Sequence, residues 1–239
     1  MSAPPARPDA GDGPDDVRER QRRSRHALVV VLTFVTGSAD AMGFLALGGA
    51  FSSVMTGNMV LFGLSAGRAD AGLAVTSGCA ILGFAFGVLV GARIAGAARS
   101  GDPVWPRRVT WALLVELAVF GGYAVAWELT AGDRSSTAEL ALLVVSATAL
   151  GMQSSAIQRF GVSGLSSTYL TGTLTSLIGD VAARSRWPAL RPRVQVLLAL
   201  MTGAAVGAVV TAALPRLAPG LLLLPLAGVV GASLRLRSR

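Results

Sequence analysis

The chain alternates long apolar runs with short polar breaks. From residue 27 onward eight apolar segments follow one another, at about 27–47, 51–67, 73–98, 108–130, 138–158, 164–183, 194–214 and 217–234. A hydrocarbon core about 30 Å thick is crossed by about 20 helical residues rising about 1.5 Å each. The pattern therefore predicts an all-α membrane protein. Residues 1–25 stand apart: four prolines and five acidic side chains share the stretch with Arg18, Arg20, Arg22, Arg23 and Arg25, a composition that predicts a disordered tail ahead of a single integral membrane domain, 26–239.

Arginine decides which segments cross. Cytoplasmic loops of membrane proteins collect basic residues. Here these are the arginines at the end of the tail, then Arg93, Arg99, Arg107 and Arg108, then Arg184, Arg186, Arg191 and Arg193, and finally Arg235, Arg237 and Arg239. Eight crossings would put the first and second clusters on opposite sides. If the second and sixth segments instead leave by the face they entered, every rich cluster is cytoplasmic and only Arg68, Arg134 and Arg216 are external. The expectation is about six transmembrane helices plus two re-entrant or broken helical segments, with both termini cytoplasmic.

Those two segments resemble each other. Phe51-Ser-Ser-Val-Met-Thr-Gly-Asn-Met59 and Leu165-Ser-Ser-Thr-Tyr-Leu-Thr-Gly-Thr-Leu174 share Ser-Ser followed by Thr-Gly and a polar residue. The likeness extends outward, from Gly37-Ser-Ala-Asp40 to Gly151-Met-Gln-Ser154 and from Gly87 and Gly91 to Gly203 and Gly207, at an offset of about 115 residues. Each half, about 26–130 and about 138–235, would then hold three spans and one re-entrant piece. Three is odd, so the second half is inserted inverted relative to the first, the plan of many transporters.

The run Gly37-Ser-Ala-Asp40-Ala-Met-Gly-Phe44, followed by Phe51-Ser-Ser-Val-Met-Thr56-Gly57-Asn58, resembles the signature of the YoaK-like family of bacterial inner-membrane proteins, a family defined by a domain of unknown function. The resemblance covers essentially everything after the tail. It implies a six-helix, multi-pass protein of the bacterial inner membrane, and it carries no activity with it.

Asp40 is the sharpest candidate for chemistry. An ionisable group at membrane depth costs at least about 2.5 kcal/mol unless it faces water, a partner or the bundle interior. Two readings stand beside each other: a proton or cation site, or a cap bonded to a broken helix end. Thr56, Gly57 and Asn58, with Thr171, Gly172 and Thr173, are the second group. Chain that turns at membrane depth frees backbone N–H and C=O groups, which a solute can use; the alternative is that these small residues only permit close packing. Gln153 and Ser154 stand where the second half would carry its Asp40, leaving a single carboxylate for a proton or cation.

Glu116 lies mid-span with no counterpart in the eighth segment, whereas Asp180 and Glu128 lie near segment ends and read as snorkelling or capping residues. His26 and four tryptophans, Trp105, Trp111, Trp127 and Trp187, read as interfacial. Gly83, Gly87 and Gly91 recur every four residues, as do Gly203 and Gly207, and such faces let helices approach as an internal seam or as a contact in a homo-oligomer.

Composition sharpens the class. Hydrophobic residues make up 52% and charged residues 14%, and the +8 net charge comes entirely from arginine, since the chain has no lysine. Arginines beside apolar segments suit lipid headgroups better than nucleic acid. One cysteine and one histidine make a metal cluster or a histidine-based hydrolase a poor fit, and a phosphate-binding loop ending in lysine is impossible. The expectation is no enzyme, no cofactor and no metal. The sequence points to a permease or channel-like carrier for a small solute or ion in the lipid bilayer, with a non-transporting scaffold or accessory subunit as the alternative.

Overall fold

The computed structural model describes residues 14–96, 105–131, 133–159 and 170–237. Among them the chain forms eight helices: α1 (Pro14–Ala46), α2 (Met55–Arg68), α3 (Ala71–Ala95), α4 (Arg107–Leu129), α5 (Ser136–Gln158), α6 (Leu170–Ala182), α7 (Trp187–Ala213) and α8 (Gly220–Arg237), with a 3-10 turn at Pro215–Leu217. Six are long and apolar enough to cross a membrane, α1 from Arg22 onward, α3, α4, α5, α7 and α8. The exceptions are α2, 14 residues long, and α6, 13 residues long. At about 1.5 Å per residue neither reaches across a 30 Å core.

Packing fixes the relative helix directions. A side chain added at Gly203 would meet Phe34 and one at Gly207 would meet Ser38, so α7 runs parallel to α1. Gly87 against Thr148 and Gly91 against Met152 make α3 parallel to α5 in the same way. The Thr110 and Ser233 hydroxyls lie 3.2 Å apart, and Trp127 Nε1 donates to the Pro215 carbonyl at 2.8 Å, so α4 and α8 are antiparallel. Short turns join α4 to α5 and α7 to α8 as hairpins. Hence α1, α4 and α7 point one way, and α3, α5 and α8 the other. The chain between α1 and α3, including α2, starts and ends at one face of the bundle; the chain between α5 and α7, including α6, starts and ends at the opposite face. Arg68, Arg134 and Arg216 fall on the α2 face, while Arg93, Arg107, Arg108, Arg186, Arg191, Arg193 and Arg235 fall on the α6 face.

Two tight seams hold the bundle. The most extensive packing is α3 on α5 and α1 on α7. At each seam a glycine brings backbone against backbone: a Cβ at Gly37 would lie 2.2 Å from the Leu200 carbonyl oxygen, and one at Gly151 2.2 Å from that of Phe84. The reciprocal positions, Gly203 against the Phe34 carbonyl at 2.2 Å and Gly87 against that of Thr148 at 2.0 Å, close the same contacts from the other helix. The glycine faces are thus an internal seam. The short helices also end alike. Ala69 and Arg184 both take left-handed backbone, and just beyond them Asp70 N–H donates to Ser65 O and Ser185 N–H to Asp180 O. Asp70 then caps α3, its carboxylate accepting from Leu73 N–H at 3.0 Å.

Three sequence expectations need correction. The tail expected over 1–25 is helical from Pro14, which suits a first helical turn, and Arg23 pairs with Glu19 one turn away at 3.0 Å; residues 1–13 lie outside the described residues. Trp111 and Trp187 are exposed, as interfacial anchors would be, but Trp105 and Trp127 are buried because their N–H groups find protein partners in Thr110 and Pro215. Asp180 neither snorkels nor caps: its carboxylate pairs with Arg193 across the α6–α7 corner. His26 Nε2 meets Gln195 Oε1 at 3.0 Å, tying α1 to α7.

Candidate functional site

Asp40 lies on α1 less than two turns before its end, 6% exposed. Past Ala46 the chain turns through Gly48 and Gly49, whose φ of 91° and 77° only glycine adopts without strain. It then folds back beneath α2. The Asp40 carboxylate takes the segment's free groups: Oδ1 accepts from Ser53 N–H at 2.7 Å and Oδ2 from the Ser53 hydroxyl at 2.6 Å. Two hydrogen bonds to an ionised acceptor contribute about 1.5–3 kcal/mol each. The helix they precede has no side-chain cap of its own, and its positive end suits the nearby carboxylate.

Asn58 makes the complementary brace from inside α2. Its Oδ1 accepts from Phe51 N–H at 2.9 Å and its Nδ2 donates to Phe51 O at 2.7 Å, so one amide satisfies both backbone groups of one loop residue. The Phe51 ring stacks on Phe44 of α1 at 5.0 Å, and a Cβ at Gly57 would stand 3.3 Å from that ring. Asp40, Ser53, Asn58 and Phe51 thus form one polar unit that holds the entry to α2 against α1.

The remaining candidates separate into other places. Thr56, Thr171 and Gly172 are exposed and Gly57 is half-buried; of the two Thr-Gly-polar triplets only Asn58 and Thr173, 115 positions apart, are buried. Gln153 is buried on α5 and donates through Nε2 to Thr36 Oγ1 at 2.9 Å and to Leu32 O at 3.4 Å, a central α1–α5 link. Ser154 is buried beside it. The second Ser-Ser pair, Ser166 and Ser167, lies outside the described residues. Sequence reading did not mark Ser53 as the partner of Asp40 or Thr36 as that of Gln153. For Ser53 the only signal was its place in the repeated Ser-Ser pair.

This is a helical membrane protein with six helices long and apolar enough to span the bilayer and two short ones, α2 and α6, at opposite faces of the bundle. The chain belongs to the family described as "Protein of unknown function (DUF1275)", which matches residues 28–233. It is 34% identical over 160 residues to the UPF0700 transmembrane protein YoaK of Bacillus subtilis (strain 168), covering 67% of this chain and 68% of that one. No solved structure matches it.

Proposed function

We propose that the protein is a carrier for a small solute or ion, built as two inverted repeats, about 26–130 and about 138–235, in a bacterial inner membrane. The arginine-rich face and both termini are cytoplasmic on this reading. The observation that carries it is the return of α2 and α6 to opposite faces. Backbone that turns back within a membrane is tolerated only against protein or a water-filled cavity, and paired broken elements in inverted halves are how many carriers frame a solute site.

Each face has its own latch. On the arginine-poor face Asp40 and Asn58 hold α2, and on the arginine-rich face Arg193 holds α6 through Asp180. A carrier alternates by releasing one latch while keeping the other. On this reading Gln153, Ser154 and Thr173, all buried, are the polar groups a solute would meet. The test is a solute-uptake screen comparing cells that lack the protein with cells that overproduce it. One solute should accumulate or be lost in proportion to expression, and Asp40→Asn should abolish that difference while membrane insertion persists.

The scaffold reading is favoured by one observation, that both Asp40 oxygens are already taken by Ser53. It predicts that no solute in the screen distinguishes the two strains.

A further inference from the structure

Glu116 is 0% exposed at the middle of α4, and neither of its carboxyl oxygens has a hydrogen-bond partner. It lies on the buried stripe of that helix with Leu113, Phe120 and Tyr123. This stripe faces the inside of a closed ring in which α4 packs on α5 and α8, α8 on α1, and α1 on α5. An ionised carboxylate enclosed this way with no donor and no counter-charge is strongly unfavourable.

Two more unpaired oxygens lie on the facing side of α5. The α5 residues pressed against α3 include Val144, Thr148 and Met152. Ser146 and Gln153 are roughly half a turn around the helix from Thr148, on the side turned away from α3. Gln153 has its amide nitrogen committed to Thr36 and Leu32, which leaves Oε1 buried without a partner. The Ser146 hydroxyl is likewise unpaired, although Thr33, Thr36 and Ser38 all bond a carbonyl of their own helix.

The heights agree. From the hairpin turn, Glu116 lies about 20 Å down α4, and Ser146 and Gln153 lie about 15 Å and about 26 Å down α5. Helical side chains lean toward their own N-terminus, so in this antiparallel pair Glu116 and Gln153 lean toward each other, while Ser146 leans toward the hairpin.

We propose that Glu116 and Gln153 form a site for one monovalent cation, a proton or an alkali metal ion, with the Ser146 hydroxyl beyond them toward the hairpin as an outer supporting oxygen. All the unpaired atoms are oxygens, and a cation is what such a set can bind without a donor from the protein. A single carboxylate balances a single charge, whereas a divalent ion would leave a net charge in the bundle. No arginine or histidine on the stretches of α1, α5 or α8 level with Glu116 competes for it; the charged groups of these helices, those at 15–26 and Asp40 on α1, Glu139 on α5, and Arg235 and Arg237 on α8, lie toward their ends. The second half has Val230, Gly231 and Ala232 at the corresponding place, so the site is single.

The inference stands apart from the carrier reading, because binding is read on purified full-length protein. Thermal unfolding in detergent is followed while sodium or potassium chloride replaces N-methylglucamine chloride at constant ionic strength. In parallel, infrared difference spectra are recorded between mildly acidic and mildly alkaline pH. An alkali ion gives a saturable rise in the unfolding midpoint; a proton gives a pH-driven carboxyl band and no ion dependence. The alkali response, or the part of the carboxyl band that belongs to Glu116, should vanish in Glu116→Gln and persist in Gly63→Ala, where nothing stands within 4 Å of a built Cβ. Ser146→Ala, which removes one oxygen and little volume, should weaken an alkali response about tenfold, or shift the carboxyl band of a proton response. This variant decides the matter if Glu116→Gln does not fold. Absence of both responses, or a response unchanged in Glu116→Gln or Ser146→Ala, would overturn the site.

Discussion

Placing leucine at Gly87 or Gly203 should prise the bundle apart. At these positions even a methyl carbon would stand 2.0 Å and 2.2 Å from the carbonyl oxygens of Thr148 and Phe34. Backbone is what blocks it, so no rotamer change relieves the clash and the helices must separate. Overpacking a tight contact costs about 1–3 kcal/mol for small additions, and leucine adds far more bulk than the alanine that already clashes. Alanine at either glycine should lower the unfolding midpoint in detergent clearly, and leucine should leave little monodisperse protein. Gly63, with nothing within 4 Å of a built Cβ, is the control: Gly63→Ala should be neutral or slightly stabilising, since alanine is the better helix former. Equal damage from Gly87→Ala and Gly203→Ala would also show that the two seams carry comparable load. If both seam variants were as stable as Gly63→Ala, close helix approach would not be what holds the halves together.

Asp40→Ala should release α2. The substitution leaves Ser53 N–H and the Ser53 hydroxyl without their acceptor, at a cost of about 3 kcal/mol or more given charge-assisted bonds of about 1.5–3 kcal/mol each. Asp40→Asn keeps the shape and one acceptor but loses the charge and makes the Ser53 hydroxyl turn from donor to acceptor, so it should be intermediate. Hydrogen exchange at residues 51–58 should accelerate in the order wild type, Asn, Ala, while exchange in the α3–α5 seam stays slow. Identical protection of the α2 entry in all three proteins would mean that Asp40 does not hold it.

Much of the fold was legible because charge placement and spacing do not depend on packing. Arginine location alone separated α2 and α6 from the six crossing helices. The four-residue spacing of Gly83, Gly87 and Gly91 marked a close-packed face, though not which helix it would meet. What could not be read depends on which way a side chain turns. Trp105 and Trp111 sit near the same helix start, yet only Trp105 turns inward to Thr110. Asp40 was visible as an acid at depth, but its bond to Ser53 spans 13 residues and exists only because the chain folds back there. The helical stretch from Pro14 was hidden by a composition typical of disorder; a helix already nucleated in α1 extends outward at little cost, aided by the Glu19–Arg23 pair.

Two-sided labelling of single cysteines tests the central architecture most directly. With Cys79 replaced by serine, cysteines at the exposed positions Arg68, Asp133 and Arg186 are probed in intact and in permeabilised cells with a membrane-impermeant maleimide. Six crossings with α2 and α6 turning back put the first two positions outside and Arg186→Cys within reach only after permeabilisation. Eight crossings would bring all three to one side, and that result would contradict the inverted arrangement and the paired latches built on it.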